Sequence, residues 1–340
     1  MVELAASGQA LPSPVEAYFE VANRCNSRCS TCPLTFSPQE AAASLSYADF
    51  CALVAQLPDL KRAVLQGIGE PLLNRDLARM IRHLKERGVY VVFNTNAVLL
   101  TKRRQVELLE VGLDELRISL DAARPETYLE LRGIPAFERV VANTAQLVRT
   151  RTELGRTSPR VAIWMTGLQA NLAELPALVD LAAELGVDEV YLQRLVYGFA
   201  APAQALAKPE QSLQHEPADW VHAVLEDAER RAAQHGLPLR ASDGRRPTEA
   251  VVLPDELGAE PWRGCSRPLR LAYVTAQGTA LPCCIAPFTE APYASFVLGN
   301  YLQDGVAQVW TGEAYQQFRQ QLYSSTPPLA CRHCGLAWSL

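Results

Sequence analysis

Short apolar runs of β type recur along the chain, with helix-type stretches between them. The candidate strands are residues 17–21, 63–66, 90–94, 115–119, 160–166 and 189–195. The fourth alternates cleanly: Leu116, Ile118 and Leu120 point one way, while Arg117, Ser119 and Asp121 point the other. The clearest helical stripe is 171–185, where Leu172, Leu175, Leu178, Val179, Ala182 and Leu185 fall on one face. Asn171 suits an N-cap and Gly186 a C-terminal stop. Pro176 fits poorly inside that span, so the helix is expected to begin near it. Stretches 77–87 and 106–111 end likewise at Gly88 and Gly112. Six strand–helix alternations imply parallel strands with right-handed crossovers. Six units are too few for a closed eightfold barrel and fit an open, partial (β/α)6 barrel, whose chemistry gathers at the C-terminal ends of the strands.

The pattern changes after residue 195. Pro and Ala are frequent over 200–217, 220–234 reads as a helix, and Pro247, Pro254 and Pro261 punctuate a loop-like stretch. A small module follows, with a hairpin signal at 272–274 and 279–281 around Gln277-Gly278 and a short helix near 313–322. The expected organisation is a lead-in at 1–14, a partial barrel at 15–199, a helical bridge at 200–264 and a small α+β module at 265–340.

Composition narrows the function classes. The 340 residues are 49% hydrophobic and 20% charged, as in a globular protein with ample core. The net charge of −5 gives no global signal for nucleic acid or a membrane surface. No apolar run approaches the roughly 20 residues of a membrane span, and no basic n-region marks a signal peptide. A cytoplasmic location is expected. Nine cysteines in such a chain point to metal ligation rather than disulfides. None lies between Cys51 and Cys265, so two separate metal sites are expected.

Cys25, Cys29 and Cys32 stand at CxxxCxxC spacing just after the first strand. Three thiolates on one tight loop can grip three irons of a cubane cluster normally held by four cysteines, leaving one iron open. A zinc knuckle is the other reading of the spacing. With the runs described next, the chain resembles the radical S-adenosylmethionine (SAM) superfamily over most of its length. That resemblance implies a 4Fe-4S cluster whose open iron is chelated by SAM, and an electron from the cluster that cleaves SAM to methionine and a 5′-deoxyadenosyl radical.

The motif residues of the resemblance can be placed one by one. Gln66-Gly67-Ile68-Gly69-Glu70-Pro71 resembles the family's GGEP motif. Gly69 and Glu70 are thereby implied at the methionine ammonium, although some members use only backbone groups there. Thr95 and Asn96, in Asn94-Thr95-Asn96-Ala97, resemble the TNG turn, with Ala97 in place of glycine. Ser119 resembles the serine of the SLD segment in sulfatase-maturating enzymes, and is implied to contact SAM. Arg132 is implied at its carboxylate, which a guanidinium fork suits. Leu195 is implied as a cover for the adenine. Thr31 departs from the pattern, which places a bulky shield at that position.

Cys265, a cysteine at 283 or 284, and Cys331-Arg332-His333-Cys334 resemble the shortened SPASM module called a twitch domain. The matching pattern is Cys265, Cys283, Cys331 and Cys334 around one auxiliary 4Fe-4S cluster. Cys284 is the rival of Cys283, and a four-cysteine zinc ribbon is the rival of the cluster. Cys51 reads as a buried apolar cysteine. The five histidines, His215 and His333 among them, form no ligand spacing.

The resulting expectation is an oxygen-sensitive enzyme that abstracts hydrogen from a small-molecule C–H bond. The auxiliary cluster would take an electron, as in the inosamine dehydrogenases that the chain resembles, and a flavodoxin- or ferredoxin-type donor would supply the reducing equivalents. Arg117, Trp164, Gln193 and Arg194 are candidates for substrate contact, but alternation cannot turn all four inward. If Cys284 faces the barrel mouth it can donate a hydrogen atom, giving an epimerase. A peptide-modifying maturase is a further alternative, ranked lower because residues 1–16 are short for a leader-binding module. A non-catalytic zinc or iron–sulfur protein is the remaining one.

Overall fold

In this computed structural model, residues 11–195, 211, 213, 216–241, 244–250, 261–289, 291–332 and 334 are described. Among these residues nine strands form one open sheet in the order β7-β6-β5-β4-β3-β2-β1-β8-β9. They are β1 (Glu16–Phe19), β2 (Arg62–Val64), β3 (Tyr90–Thr95), β4 (Glu115–Ser119), β5 (Arg160–Gly167), β6 (Glu189–Arg194), β7 (Leu239–Arg240), β8 (Leu271–Val274) and β9 (Ala280–Leu281). Every neighbouring pair is parallel except β8 with β9. The sheet is not closed, and the expected α/β partial barrel is the architecture observed.

Two elements depart from the expected picture. The stretch read as a bridge supplies helix Ala218–His235 and strand β7, which continues the sheet beyond β6 at Val190↔Leu239. Two strand residues are too few to show alternation, so β7 had no periodic signal. At the other edge β8 pairs in parallel with β1, Tyr18 opposite Tyr273. The C-terminal hairpin is therefore an extension of the barrel sheet, and a strand from the far end of the sequence lies beside the strand that leads into Cys25.

The helices form where capping and periodicity agree. The 171–185 stripe splits as foreseen from Pro176: a 3-10 turn at Leu172–Glu174 precedes helix Leu175–Leu185, with Pro176 in its first turn. Gly186 ends that helix in the left-handed conformation. In helix Ala218–His235, Val221, Leu225, Ala228 and Ala232 are buried at helical spacing.

Alternation sorts the two faces of the sheet. Ala17, Phe19, Leu116, Ile118, Val161, Ile163, Val190 and Leu192 are buried in the main core beneath the helices. Glu16, Tyr18, Arg117, Ser119, Trp164, Tyr191 and Gln193 take the opposite, concave face. At the N-terminal ends of the strands that face is closed by ion pairs, Glu16 with Arg62 and Arg270, and Glu115 with Arg117. Chemistry is thereby confined to the middle and the C-terminal rim.

Candidate functional site

The loop carrying Cys25, Cys29 and Cys32 is pinned from several sides. The backbone N–H groups of Arg28 and Ser30 donate to the carbonyls of Arg132 and Leu131 at 3.1 and 2.9 Å. Gly133 makes that contact possible. It has φ 68°, and a Cβ there would stand 2.4 Å from the Arg28 carbonyl oxygen. The Glu70 N–H donates to the Arg24 carbonyl at 2.8 Å. A Cβ on Gly69 would meet the Ala22 carbonyl oxygen at 2.1 Å. The glycine thus serves close approach of the two loops, where the sequence pointed to approach by a ligand. Asn96 Nδ2 donates to Asn26 Oδ1 (2.9 Å), Ser27 Oγ (3.0 Å) and, weakly, Cys25 Sγ (3.8 Å).

All three cluster-loop thiols are half-buried. Burial raises the thiol pKa of Cys25, and that of Cys32 to about 11. Thiolates are unfavourable in such a loop without a cationic partner, and iron would supply one.

Glu70 sits beneath this loop and is buried. Its Oε1 accepts from the Leu72 N–H (3.0 Å) and Thr95 Oγ1 (2.7 Å), its Oε2 from the Asn96 N–H (2.8 Å). Both oxygens are engaged in joining the turns after β2 and β3, so its visible role is to hold those turns. Thr95 Oγ1 in turn accepts from the Ala97 N–H at 3.0 Å. Ala97 adopts φ 56°. The turn keeps the left-handed form of a glycine turn although glycine is absent.

Ser119 ends β4. Its carbonyl accepts from Arg132 Nη2 at 2.9 Å, while Arg132 Nη1 pairs with Asp121 Oδ2 at 3.0 Å. Asp121 is held by the Thr166 N–H at 2.8 Å. Burial would lower the Arg132 pKa, but Cys29, Asp121, Tyr128 and Cys25 outweigh it and the net shift is upward. Its Nε is buried without a partner, so one donor of a fixed cation remains beside the cluster loop. Leu195 groups with Leu131 and Leu168 in an apolar cluster apart from the main core. A cavity of about 250 Å³ opens nearby between Ser30, Glu130, Leu131, Leu168 and Gln169. Arginine, apolar wall and cavity together fit a zwitterionic ligand with an apolar, aromatic end.

The C-terminal cysteines fall into two groups. Cys265, Cys283, Cys331 and Cys334 line one cavity with Trp262, Pro268, Phe318 and Leu322. Cys284 is absent from that lining and interacts instead with Tyr18 and Arg267. Among the described residues no group of three or more His, Cys, Asp or Glu side chains converges on a single-ion position. No disulfide joins any of the nine cysteines.

Cys51 is half-buried against the core rather than fully buried, with Tyr47 beside it. His83 packs edge-on to Tyr47 and Phe50 in the core. His215 and His333 lie outside the described residues.

On the concave face, Arg117 lies over the Trp164 ring at 4.1 Å, and Trp164 stacks on Tyr191 at 4.2 Å. Trp164 Nε1 and Asn94 Oδ1 are buried without partners, one donor and one acceptor. Arg117, Trp164 and Gln193 share this face. Arg194 takes the other, as alternation required, and its pKa is lowered to about 10 by burial and then by Arg245. Sequence reasoning missed Tyr18, Tyr191, Glu20 and Arg267. Extending the period-two count through Glu16, Tyr18 and Glu20 would have placed the first and third on this face; Arg267 had no periodic signal.

Comparison with known proteins agrees with this arrangement. The sequence model of the radical SAM superfamily matches residues 19–182, and that of the SPASM iron–sulfur cluster-binding domain matches 265–335. The chain is an enzyme of the radical SAM superfamily with a C-terminal SPASM-type domain, and its cofactors are SAM and two 4Fe-4S clusters, one SAM-binding and one auxiliary. It is 25% identical over 336 residues to the tungsten-containing aldehyde ferredoxin oxidoreductase cofactor-modifying protein of Pyrococcus furiosus, covering 94% of this chain and 86% of that one. It is also 25% identical to the PqqA peptide cyclase of Rhodopseudomonas palustris, over 94% of this chain and 79% of the other. The fold matches Streptococcus suis SuiB bound to S-adenosylmethionine with a TM-score of 0.68 at 18% identity, over 94% of this chain and 70% of SuiB. No helix among the described residues is long and apolar enough to cross a membrane.

Proposed function

We propose that this enzyme oxidises a small molecule at a C–H bond by two electrons, with the auxiliary cluster as the electron acceptor. In this reading Cys25, Cys29 and Cys32 hold the SAM-binding cluster and Cys265, Cys283, Cys331 and Cys334 the auxiliary one. Arg132, Ser119, Thr95, Asn96, Gly69, Glu70 and Leu195 frame SAM. When bound, the cluster and SAM together supply abstraction of a hydrogen atom. The chain's part is to hold the substrate carbon in place and exclude water.

The observation that carries the reading is the pairing of β8 with β1. It sets the module of auxiliary thiols against the strand that leads into the SAM-cluster loop, with Tyr18 and Cys284 between them. The Arg117–Trp164–Tyr191 stack lines the concave face, and Trp164 Nε1 and Asn94 Oδ1 are a donor and an acceptor there without partners. That is the equipment for a polyhydroxylated or aminated ring. After hydrogen abstraction, a carbinol must lose one proton and one electron to become a ketone. Glu20, on the same face and raised to about 7 mainly by burial, is suited to take the proton.

A second reading has its own observation. Cys284 interacts with Tyr18 on the concave face and does not line the auxiliary cavity. A thiol there can return a hydrogen atom to the substrate radical and leave the substrate's oxidation level unchanged, the resulting thiyl radical being reduced back to the thiol by one electron from the external reductant (a flavodoxin- or ferredoxin-type donor, or dithionite) and one proton from solvent. Peptide substrates enter through the similarity to a peptide cyclase.

The test is turnover of an aminocyclitol deuterated at its carbinol carbon, in reconstituted enzyme with SAM and dithionite. Deuterium in 5′-deoxyadenosine together with a ketone product is the expected outcome. Solvent hydrogen at that carbon without oxidation moves the assignment to the Cys284 route. No transfer from any ring substrate, alongside modification of a peptide, sinks the small-molecule reading.

A further inference from the structure

Trp262 brings a nitrogen donor to a cavity whose other side chains are sulfur and hydrocarbon. Cys265, Cys283, Cys331 and Cys334 line that cavity, and so does the Trp262 indole. Every other described residue in the lining is proline, alanine, isoleucine, leucine or phenylalanine. Trp262 also packs, with Tyr323, Cys331 and Cys334, against the buried pair Cys265 and Leu322. The residue as a whole is half-buried, but its Nε1 is buried and has no hydrogen-bond partner among the described residues. Tyr323, which shares this packing, has its hydroxyl committed to the Cys265 carbonyl at 2.7 Å.

Local structure ties the indole to the first of the four thiols. Trp262 lies in the 3-10 turn Pro261–Gly264, and its carbonyl accepts from the Cys265 N–H at 3.0 Å. An indole N–H can only donate. Buried among hydrocarbon without an acceptor it is unfavourable, and buried tryptophan N–H groups usually find one. The side-chain acceptors that this cavity offers are sulfurs. A neutral thiol accepts weakly. An iron-bound thiolate or a cluster sulfide carries more negative charge, and reduction increases it. A donor to such a sulfur therefore stabilises the reduced cluster more than the oxidised one, since hydrogen bonds to sulfur are among the determinants of its potential.

We propose that the Trp262 indole N–H donates to a sulfur of the auxiliary cluster and raises its reduction potential, favouring electron transfer from the substrate radical. In that step the radical gives up one proton and one electron, and the electron reduces the cluster by one. The inference deepens the proposed function and rests on Cys265, Cys283, Cys331 and Cys334 being the auxiliary ligands.

The experiment isolates that cluster. The Cys25→Ala/Cys29→Ala/Cys32→Ala chain is reconstituted anaerobically in H2O and in D2O, and its iron is counted. The auxiliary cluster is titrated electrochemically by electron paramagnetic resonance, and protons coupled to its reduced form are read by electron–nuclear double resonance. About four irons are expected. With Trp262→Phe added, the aromatic wall remains and the N–H is gone. Iron is expected to stay, and one exchangeable coupled proton to disappear. The reduced-to-oxidised ratio at the parent's midpoint is expected to fall at least threefold, a drop of about 28 mV for a one-electron couple. An unchanged midpoint with four irons overturns the inference while leaving the ligand assignment intact. A lowered midpoint with every exchangeable coupling retained overturns it too, because the ring's bulk and not its N–H is then responsible. A parent cluster without any exchangeable coupled proton refutes it before a variant is made. Loss of iron in Trp262→Phe alone makes the indole a wall of the site and refutes tuning. Absence of iron before any change at Trp262 removes the ligand assignment itself.

Discussion

Glu70 Oε2 accepts the backbone N–H of Asn96 at 2.8 Å, and this bond fastens the turn after β2 to the turn after β3. Three donors converge on the Glu70 carboxylate: Leu72 N–H, Thr95 Oγ1 and Asn96 N–H. Glutamine offers one oxygen and puts an NH2 where the other stood. Either orientation leaves a buried donor facing a donor. We expect Glu70→Gln to lower stability by about 1–3 kcal/mol, the cost of an unsatisfied buried group. It should also weaken SAM binding through the displaced Asn96. Anaerobic thermal unfolding and equilibrium SAM binding check the two effects separately. Unchanged stability with lost SAM binding would mean that the carboxylate meets the ligand directly.

Glu20 is held by the Ile68 N–H at 3.0 Å and the Ala276 N–H at 3.4 Å, yet its pKa is raised from 4.5 to about 7, chiefly by burial. A carboxyl whose folded pKa is raised favours the folded state most when protonated. Its contribution is complete below the unfolded value and is lost as pH climbs from about 4.5 through 7. The whole span is on the order of 3 kcal/mol. Glu20→Gln removes that dependence. Urea unfolding at pH 5 and pH 8 should show the variant gaining stability relative to wild type at the higher pH. A parallel fall of both proteins would refute the assignment.

Ala97 shows where sequence reasoning ran out. The sequence shows alanine at the glycine position of the turn it resembles, and not what the turn does with it. The turn is left-handed at Ala97, and Thr95 Oγ1, the Asn96 side chain and the Asn143 amide, 2.8 Å from the Ala97 carbonyl, hold both sides of it. Ala97→Gly relieves a left-handed alanine but removes a buried methyl, effects of about 1 kcal/mol each and opposite in sign. A net change within about 1 kcal/mol is expected. Ala97→Val adds β-branching and bulk in the core at φ 56°, and should cost 2 kcal/mol or more. Chemical denaturation of both variants distinguishes this from a relaxed turn, which would tolerate valine.

Period-two alternation made β1 to β6 and the face of Arg117, Ser119 and Trp164 readable from sequence, because the opposite residues of those strands are buried as a continuous apolar layer. The CxxxCxxC and CxxC spacings were readable because they are local. What was not readable depended on long-range pairing. Nothing in the sequence places β8 beside β1 or adds β7 to the sheet. Cys283 and Cys284 were indistinguishable for the same reason: which of them lines the cavity with Cys265, Cys331 and Cys334 depends on how distant segments pack.

Arg132 and Asp121 form a 3.0 Å ion pair in which both side chains are largely buried. Asp121→Ala would strand the guanidinium and free it from its position beside Ser119. Breaking one side of such a pair costs about 3–5 kcal/mol. We expect Asp121→Ala to be less stable than Arg132→Met, where the charge goes with the side chain, and both to bind SAM poorly. Thermal unfolding orders the two variants. If Arg132→Met proves the less stable, the arginine's contacts with Ser119 and the helix end outweigh the ion pair.

The neighbouring thiols give the sharpest separation. Cys283 lines the cavity with Cys265, Cys331 and Cys334, and burial raises its pKa further than any charge partner does. Cys284 interacts with Tyr18 across the concave face. Reconstituted wild type is expected to hold about eight irons, Cys283→Ala about four to five, and Cys284→Ala about eight. The second measurement is hydrogen source. If Cys284→Ala keeps its iron, still forms 5′-deoxyadenosine and still yields oxidised product, the thiol is a bystander on the substrate face. If it keeps its iron but no longer returns solvent hydrogen to the substrate, Cys284 is the donor, and Tyr18→Phe should slow the same step by leaving the thiol without its phenol partner. Iron loss in Cys284→Ala rather than Cys283→Ala would reverse the ligand assignment and place Cys283 on the packed side.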